Sequence, residues 1–198
     1  MVTEIYKRRS IRKYQDKPIS RQDILDIIES GTKAPSSKNR QPWKFIAVQG
    51  EEKEEMLNAF RAGISREETG DARLPGSREY IAGAKYTVKI LEQTPVVIFV
   101  VNPLGKGLFR AQTTEERIYD ICNIQSVGAA IQNMLLRAVE LGLGALWIAN
   151  TCFAYTELTA FLGTPHQLTG VVAIGYPDEE PSPRPRKPFD EVVEYRLD

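Results

Sequence analysis

The order of apolar patterns along the chain predicts a three-layer domain of helices and strands, and three observations carry that prediction. Segments with helical periodicity alternate with short apolar runs joined by short connections. The run Val96-Val97-Ile98-Phe99-Val100-Val101 is continuously apolar, as befits a strand covered on both faces. From about Ile118 to Leu141, apolar residues recur three and four positions apart (Ile121, Ile124, Val127, Ile131, Met134, Leu135, Ala138), marking a long central helix. At 198 residues, 42% hydrophobic and 26% charged, the chain suits one domain over 1–198.

In order, Ser20 is the expected N-cap of a helix over about Arg21 to Lys33, with Ile24, Leu25, Ile27 and Ile28 as its apolar stripe and Pro35 as its stop. Trp43 to Val48 reads as a strand and Glu51 to Arg61 as a charged amphipathic helix. Ala62 to Arg78 is polar and aperiodic, a possible lid over a site, as is Leu104 to Gln112. A helix over roughly Glu79 to Glu92 precedes the buried strand. Gly142-Leu143-Gly144 ends the central helix and feeds a strand from Ala145 to Ala149; a short helix near Glu157 and a strand from Thr169 to Ile174 follow. On the central helix, Gly128, Ala129 and Ala130 form a small flank suited to the core or to a subunit interface. The Pro- and Glu-rich stretch from Pro177 begins an extended arm, about 177–198.

Composition excludes several functions. Lys plus Arg and Asp plus Glu both total 26, so there is no global basic field for nucleic acid or an anionic membrane, and any anion site is local. No window approaches the 18 or so apolar residues of a membrane span, and the N-terminus lacks an apolar leader core. Cys122, Cys152 and the lone His166, which sits in an apparent turn, are too few for a zinc site and fit a reducing cytoplasm. Neither a GxxxxGK[ST] cradle nor a GxGxxG turn is present, and no GxSxG elbow accompanies the histidine.

Three polar clusters remain. In an extended Arg8-Arg9-Ser10-Ile11-Arg12, alternation sends Arg8, Ser10 and Arg12 to one side, two guanidinium forks and a hydroxyl matching a phosphate monoester, with Arg9 opposite or reaching round the edge. Taken alone, the run also reads as a solvated basic stretch. Near the far end, prolines stiffen Pro183-Arg184-Pro185-Arg186-Lys187-Pro188, so four arginines from the two chain ends are available to neutralise a dianion. Between them, Ala34-Pro35-Ser36-Ser37-Lys38-Asn39-Arg40-Gln41-Pro42-Trp43 concentrates hydroxyl, amide and indole groups before a strand. In Gly144-Ala145-Leu146-Trp147-Ile148-Ala149-Asn150 small residues flank a large aromatic one, an approach for a flat ring or simply a core strand with a packed Trp.

Together with Gln132-Asn133-Met134-Leu135-Leu136 running into Leu141-Gly142-Leu143-Gly144, these motifs cover almost the whole chain in one order, and the chain resembles the FMN-dependent nitroreductase family. The resemblance implies an α+β fold: a three-layer α/β/α sandwich whose mixed, mainly antiparallel central sheet is completed by the partner's C-terminal extension in a homodimer, with two FMN sites at the subunit interface. It implies phosphate and ribityl contacts from Arg8, Ser10, Arg184 and Arg186, with Arg9 near the same tail. Arg12 falls at the pyrimidine edge of the flavin, where a cation stabilises charge that reduction places on N1 and O2. Pro35, Ser36, Ser37 and Asn39 resemble contacts made from the partner subunit. Leu146, Trp147 and Ile148 resemble the segment along one flavin face, with the amides of Ala149 and Asn150 placed to donate to N5 or O4. Lys89 matches a further basic contact, although Tyr86 stands where many members have Asn.

The implied activity is a ping-pong transfer from NADH or NADPH through FMN to a small electron-poor acceptor, a nitroaromatic or a quinone, with no obligatory acid or base side chain and with Arg12 tuning the flavin. Other enzymes of the fold, reductive dehalogenases, flavin-cleaving enzymes and azoline dehydrogenases, and a flavin-binding protein without turnover, are the alternatives.

Overall fold

A computed structural model describes residues 3–196; the first two positions of the expected domain and the last two of the expected arm lie outside the described residues. Four strands, β1 (Lys44–Val48), β2 (Val96–Asn102), β3 (Gly144–Ile148) and β4 (Gln167–Gly175), form one sheet in the order β1-β2-β4-β3, every neighbouring pair antiparallel. Its parallel element is a single bridge between Ser10 and Ala145 at the β3 edge.

The helices α2 (Arg21–Thr32) and α5 (Thr114–Glu140) cover one face, and α3 (Glu52–Glu68), α4 (Ile81–Gln93) and α6 (Tyr155–Phe161) cover the other. Short helices α1 (Thr3–Lys7) and α7 (Phe189–Val192) lie near the chain ends. Every residue of β2 is buried, because Val97, Phe99 and Val101 enter one core while Val96, Ile98 and Val100 enter the other. The expected three layers and the doubly covered strand follow from that alternation.

Local chemistry sets the helix ends. Ser20 Oγ accepts from the Asp23 N–H at 3.0 Å, the expected cap, and α5 starts with a reciprocal capping box between Thr113 and Glu116. Three expectations are corrected. Leu25 points outward from α2. On α5, Ile121 and Ile124 are 52% and 39% exposed, whereas Val127, Ile131, Met134, Leu135 and Ala138 are buried. A helix of 27 residues is about 40 Å long and overshoots strands of 5 to 9 residues, so its first turns stand clear of the sheet. The third correction is that α3 runs to Glu68 rather than ending at Arg61, leaving the polar segment after it much shorter.

Candidate functional site

The two chain ends are laced together over β3 and β4. The Ile11 N–H donates to the Ala145 carbonyl at 3.1 Å, Gln15 to Tyr176 at 2.9 Å, and Asp178 to Lys13 at 3.0 Å. The gap that admits this segment is made by a cross-strand pair, Gly144 opposite Gly175. A Cβ on Gly144 would lie 2.7 Å from Ile11 Cγ1, and one on Gly175 would lie 2.6 Å from Tyr14 Cδ1. Tyr14 then pins the segment from beneath, its buried phenol donating to the Ile11 carbonyl at 2.8 Å. Burial, and next the charge of Glu179, push that phenol far above its ordinary range, so the bond does not titrate.

This lacing turns two distant basic runs into one groove of about 340 Å³, lined by Arg8, Arg9, Ser10, Arg12, Arg184 and Arg186 together with Ile5, Tyr6 and residues of the arm. Among the described residues no carboxylate oxygen lies within 4.0 Å of a side-chain nitrogen of any of these five arginines. Elsewhere some basic side chains are paired, as Arg66 is with Glu67 and Glu157. The groove therefore gathers five guanidinium groups without a side-chain ion pair on a chain of zero formal charge. Arg12 curls so that its Nη1 donates to the Ser10 carbonyl at 3.1 Å, and Arg9 turns back to donate to the carbonyls of Tyr6 and Arg8 at 2.7 and 2.9 Å. Arg9 thus lines the edge with one nitrogen already engaged.

The β3 segment splits by face. Leu146 and Ile148 are buried in the core beneath α3, α4 and α6, so only their backbone is free to meet a ligand, while Trp147 is 43% exposed on the opposite face. The indole lies beside Gly128 of α5 and Gly170 of β4, which accounts for the glycine in the small flank on the helix. Beyond β3, Asn150 is turned inward, its side-chain amide donating to Thr87 Oγ1 at 2.9 Å. Asn150 Oδ1 is buried without a partner, marking this turn as a place where polar capacity is left unspent. That side chain was expected only through its backbone amide, and Thr87 carries no sequence signal of the role.

Pro35, Ser36, Ser37 and Asn39 do not line the arginine groove. Their loop lies against α5: the Ser37 N–H donates to Ser126 Oγ at 3.2 Å and the Arg40 guanidinium stacks 4.6 Å from the Tyr119 ring centre. Lys38, Asn39 and Gln41 all have positive φ, a conformation stiffened by bonds from Asn39 and Gln41 back to Ser36. Lys89 is exposed on α4 and also lies outside the groove.

Comparison with known proteins places this fold in a class. The chain belongs to the nitroreductase family, whose sequence profile matches residues 5–176. It is 29% identical to the Bacillus subtilis protein named "Putative NAD(P)H nitroreductase YfhC", over 93% of this chain and 88% of that one. It is 32% identical to the Archaeoglobus fulgidus "Putative NADH dehydrogenase/NAD(P)H nitroreductase", over 89% and 84% of the respective chains. Among solved structures, the "putative nitroreductase in complex with fmn" from Desulfovibrio desulfuricans superposes with a TM-score of 0.73 at 25% identity, covering 99% of this chain and 96% of that one.

Proposed function

We propose that the protein passes electrons from NADH or NADPH to a small electron-poor acceptor, a nitroaromatic or a quinone, in two separated half-reactions at one site. The chain is an FMN-dependent NAD(P)H oxidoreductase of the nitroreductase family. The observation that carries this reading is the groove in which five arginines and a serine from the two chain ends converge without a side-chain ion pair to a carboxylate. A phosphate monoester fits that donor set: guanidinium forks match its oxygens, and a serine hydroxyl adds one neutral donor.

When bound, FMN supplies the hydride-accepting ring and returns the electrons to the acceptor. The residues of the chain then have separable tasks. Arg8, Ser10, Arg184 and Arg186 hold the phosphate end, with Arg9 at its rim. Arg12 presents positive charge to the pyrimidine edge. The backbone of Leu146 to Ile148 and the amides of Ala149 and Asn150 meet the ring. The reaction balances as quinone plus NADPH plus a proton giving hydroquinone plus NADP⁺, with the proton drawn from water.

Pro35, Ser36, Ser37 and Asn39 come from a second copy in this reading. Their distance from the groove on one chain supports it, as do two unpartnered apolar surfaces, Ile118, Ile121 and Ile124 on α5 and Phe189, Val192 and Tyr195 on the arm. No helix among the described residues is long and apolar enough to cross a membrane, and the two free cysteines fit a reducing cytoplasm.

Steady-state kinetics test the two-half-reaction scheme. Varying NADPH at several fixed concentrations of a quinone should give parallel double-reciprocal lines. Converging lines would show that both substrates occupy the site together and would contradict it.

A further inference from the structure

We infer that Glu179 is the positioning residue that sets the two arginine-bearing chain ends in register, and that it acts through its hydrogen bond to the Arg12 backbone. The proposal rests on the reading of the groove as a phosphate site.

The lacing described above ends at this residue. After Asp178 donates to Lys13, the chain turns and Glu179 Oε1 accepts the N–H of Arg12, a contact between residues 167 positions apart. Among the described residues it is the last hydrogen bond between the ends before they separate to form the groove walls, Arg12 on one side and Pro181 to Arg186 on the other. Without it, the nearest restraints flanking Arg12 are the Ile11 amide on one side and the Lys13 carbonyl, which accepts the Asp178 N–H, on the other; neither holds the Arg12 peptide itself to the arm. The arm has few ties of its own: residues 182–190 are exposed, and Arg184 and Arg186 are presented by a proline-stiffened backbone. A stiff arm transmits its starting angle to its end, so a bond at Glu179 fixes where the two guanidinium groups arrive.

The residue type works against the site's charge. A carboxylate beside a dianion site opposes binding electrostatically, so its presence is explained by the bond it makes and not by its sign. The charge and the acceptor are separable by substitution. Glu179→Gln keeps an acceptor oxygen at the same reach and removes the charge; Glu179→Asp keeps the charge and withdraws the oxygen by one methylene.

The test is the affinity of the full-length apoprotein for FMN and for riboflavin, which has the same ring and no phosphate. Glu179→Asp and Glu179→Ala should each weaken FMN by about tenfold, the scale of one charge-assisted hydrogen bond, while leaving riboflavin unchanged. Glu179→Gln should bind FMN at least as well as the unmodified protein. If Gln and Asp behave alike, or if FMN and riboflavin weaken together, the proposed role is overturned. FMN binding that is equally tight in all variants overturns the role of Glu179 while leaving the phosphate site standing. An unmodified protein that takes neither flavin overturns the site and this proposal with it.

Discussion

Gly144 decides whether the first chain end reaches the sheet. Its missing side chain is the space Ile11 occupies, and Ile11 donates to the neighbouring Ala145 carbonyl. Gly144→Ala should therefore displace the basic run, costing about 1–3 kcal/mol of stability by overpacking and weakening FMN binding more than riboflavin binding. Calorimetry with the two flavins checks it, and an alanine variant of unchanged stability would contradict the docking. At this scale the clustering of the basic run was legible from its composition, but strict alternation was not what gathers it: Arg8, Ser10 and Arg12 line one groove and Arg9 reaches round to line it too. Leu146 and Ile148 were legible only as a segment: which face of β3 each takes depends on the two cores. Glu179 was illegible, since one carboxylate in a Pro- and Glu-rich stretch carries no pattern, and its partner is 167 positions away.

The helix α3 and the loop after it show what element-scale reading misses. Gly63 and a run of charged residues hide the second half of the helix, yet Gly63 is where Ala154 packs, a Cβ there lying 2.5 Å from the Ala154 Cβ. At its end Glu67 is only 1% exposed, and its carboxylate accepts the N–H groups of Arg73 and Leu74 at 3.1 and 3.0 Å and pairs with Arg66. Burial opposes its ionisation, but the Leu74 amide, the Arg66 guanidinium and the Arg73 amide outweigh burial and hold its pKa below the ordinary 4.5. The stability this contributes is complete above the ordinary value and disappears as pH falls through the lower folded value. Glu67→Gln should cost about 1–3 kcal/mol near neutral pH, and the gap to the unmodified protein should narrow below pH 4.5. Chemical unfolding at a series of pH values measures it; a gap independent of pH would remove the charge from the account. The same anchored loop meets the segment after β2, where Arg73 lies over the Phe109 ring at 5.2 Å, so the two stretches first read as separate lids touch each other.

Across the whole molecule, zero formal charge and a local cluster of unpaired arginines coexist because the fold gathers the cluster from opposite ends of the chain. The layers were readable from periodicity, since a doubly buried strand and a long amphipathic helix leave strong patterns. The strand order was not, because antiparallel pairing of β2 with β4 joins segments with α5 and β3 between them. In the proposed dimer the Pro35 loop of one copy faces the groove of the other, which gives the exposed half of α5 a task that one chain does not supply. The central claim is that this groove holds FMN reducible by a nicotinamide nucleotide. Its most direct test is the visible absorption spectrum of the purified protein, reconstituted with FMN and titrated without oxygen with NADPH and NADH. Flavin bands that stay with the protein through gel filtration and bleach on addition of either nucleotide are the predicted result. A protein that releases all its FMN, or whose bands persist with both nucleotides, would contradict it.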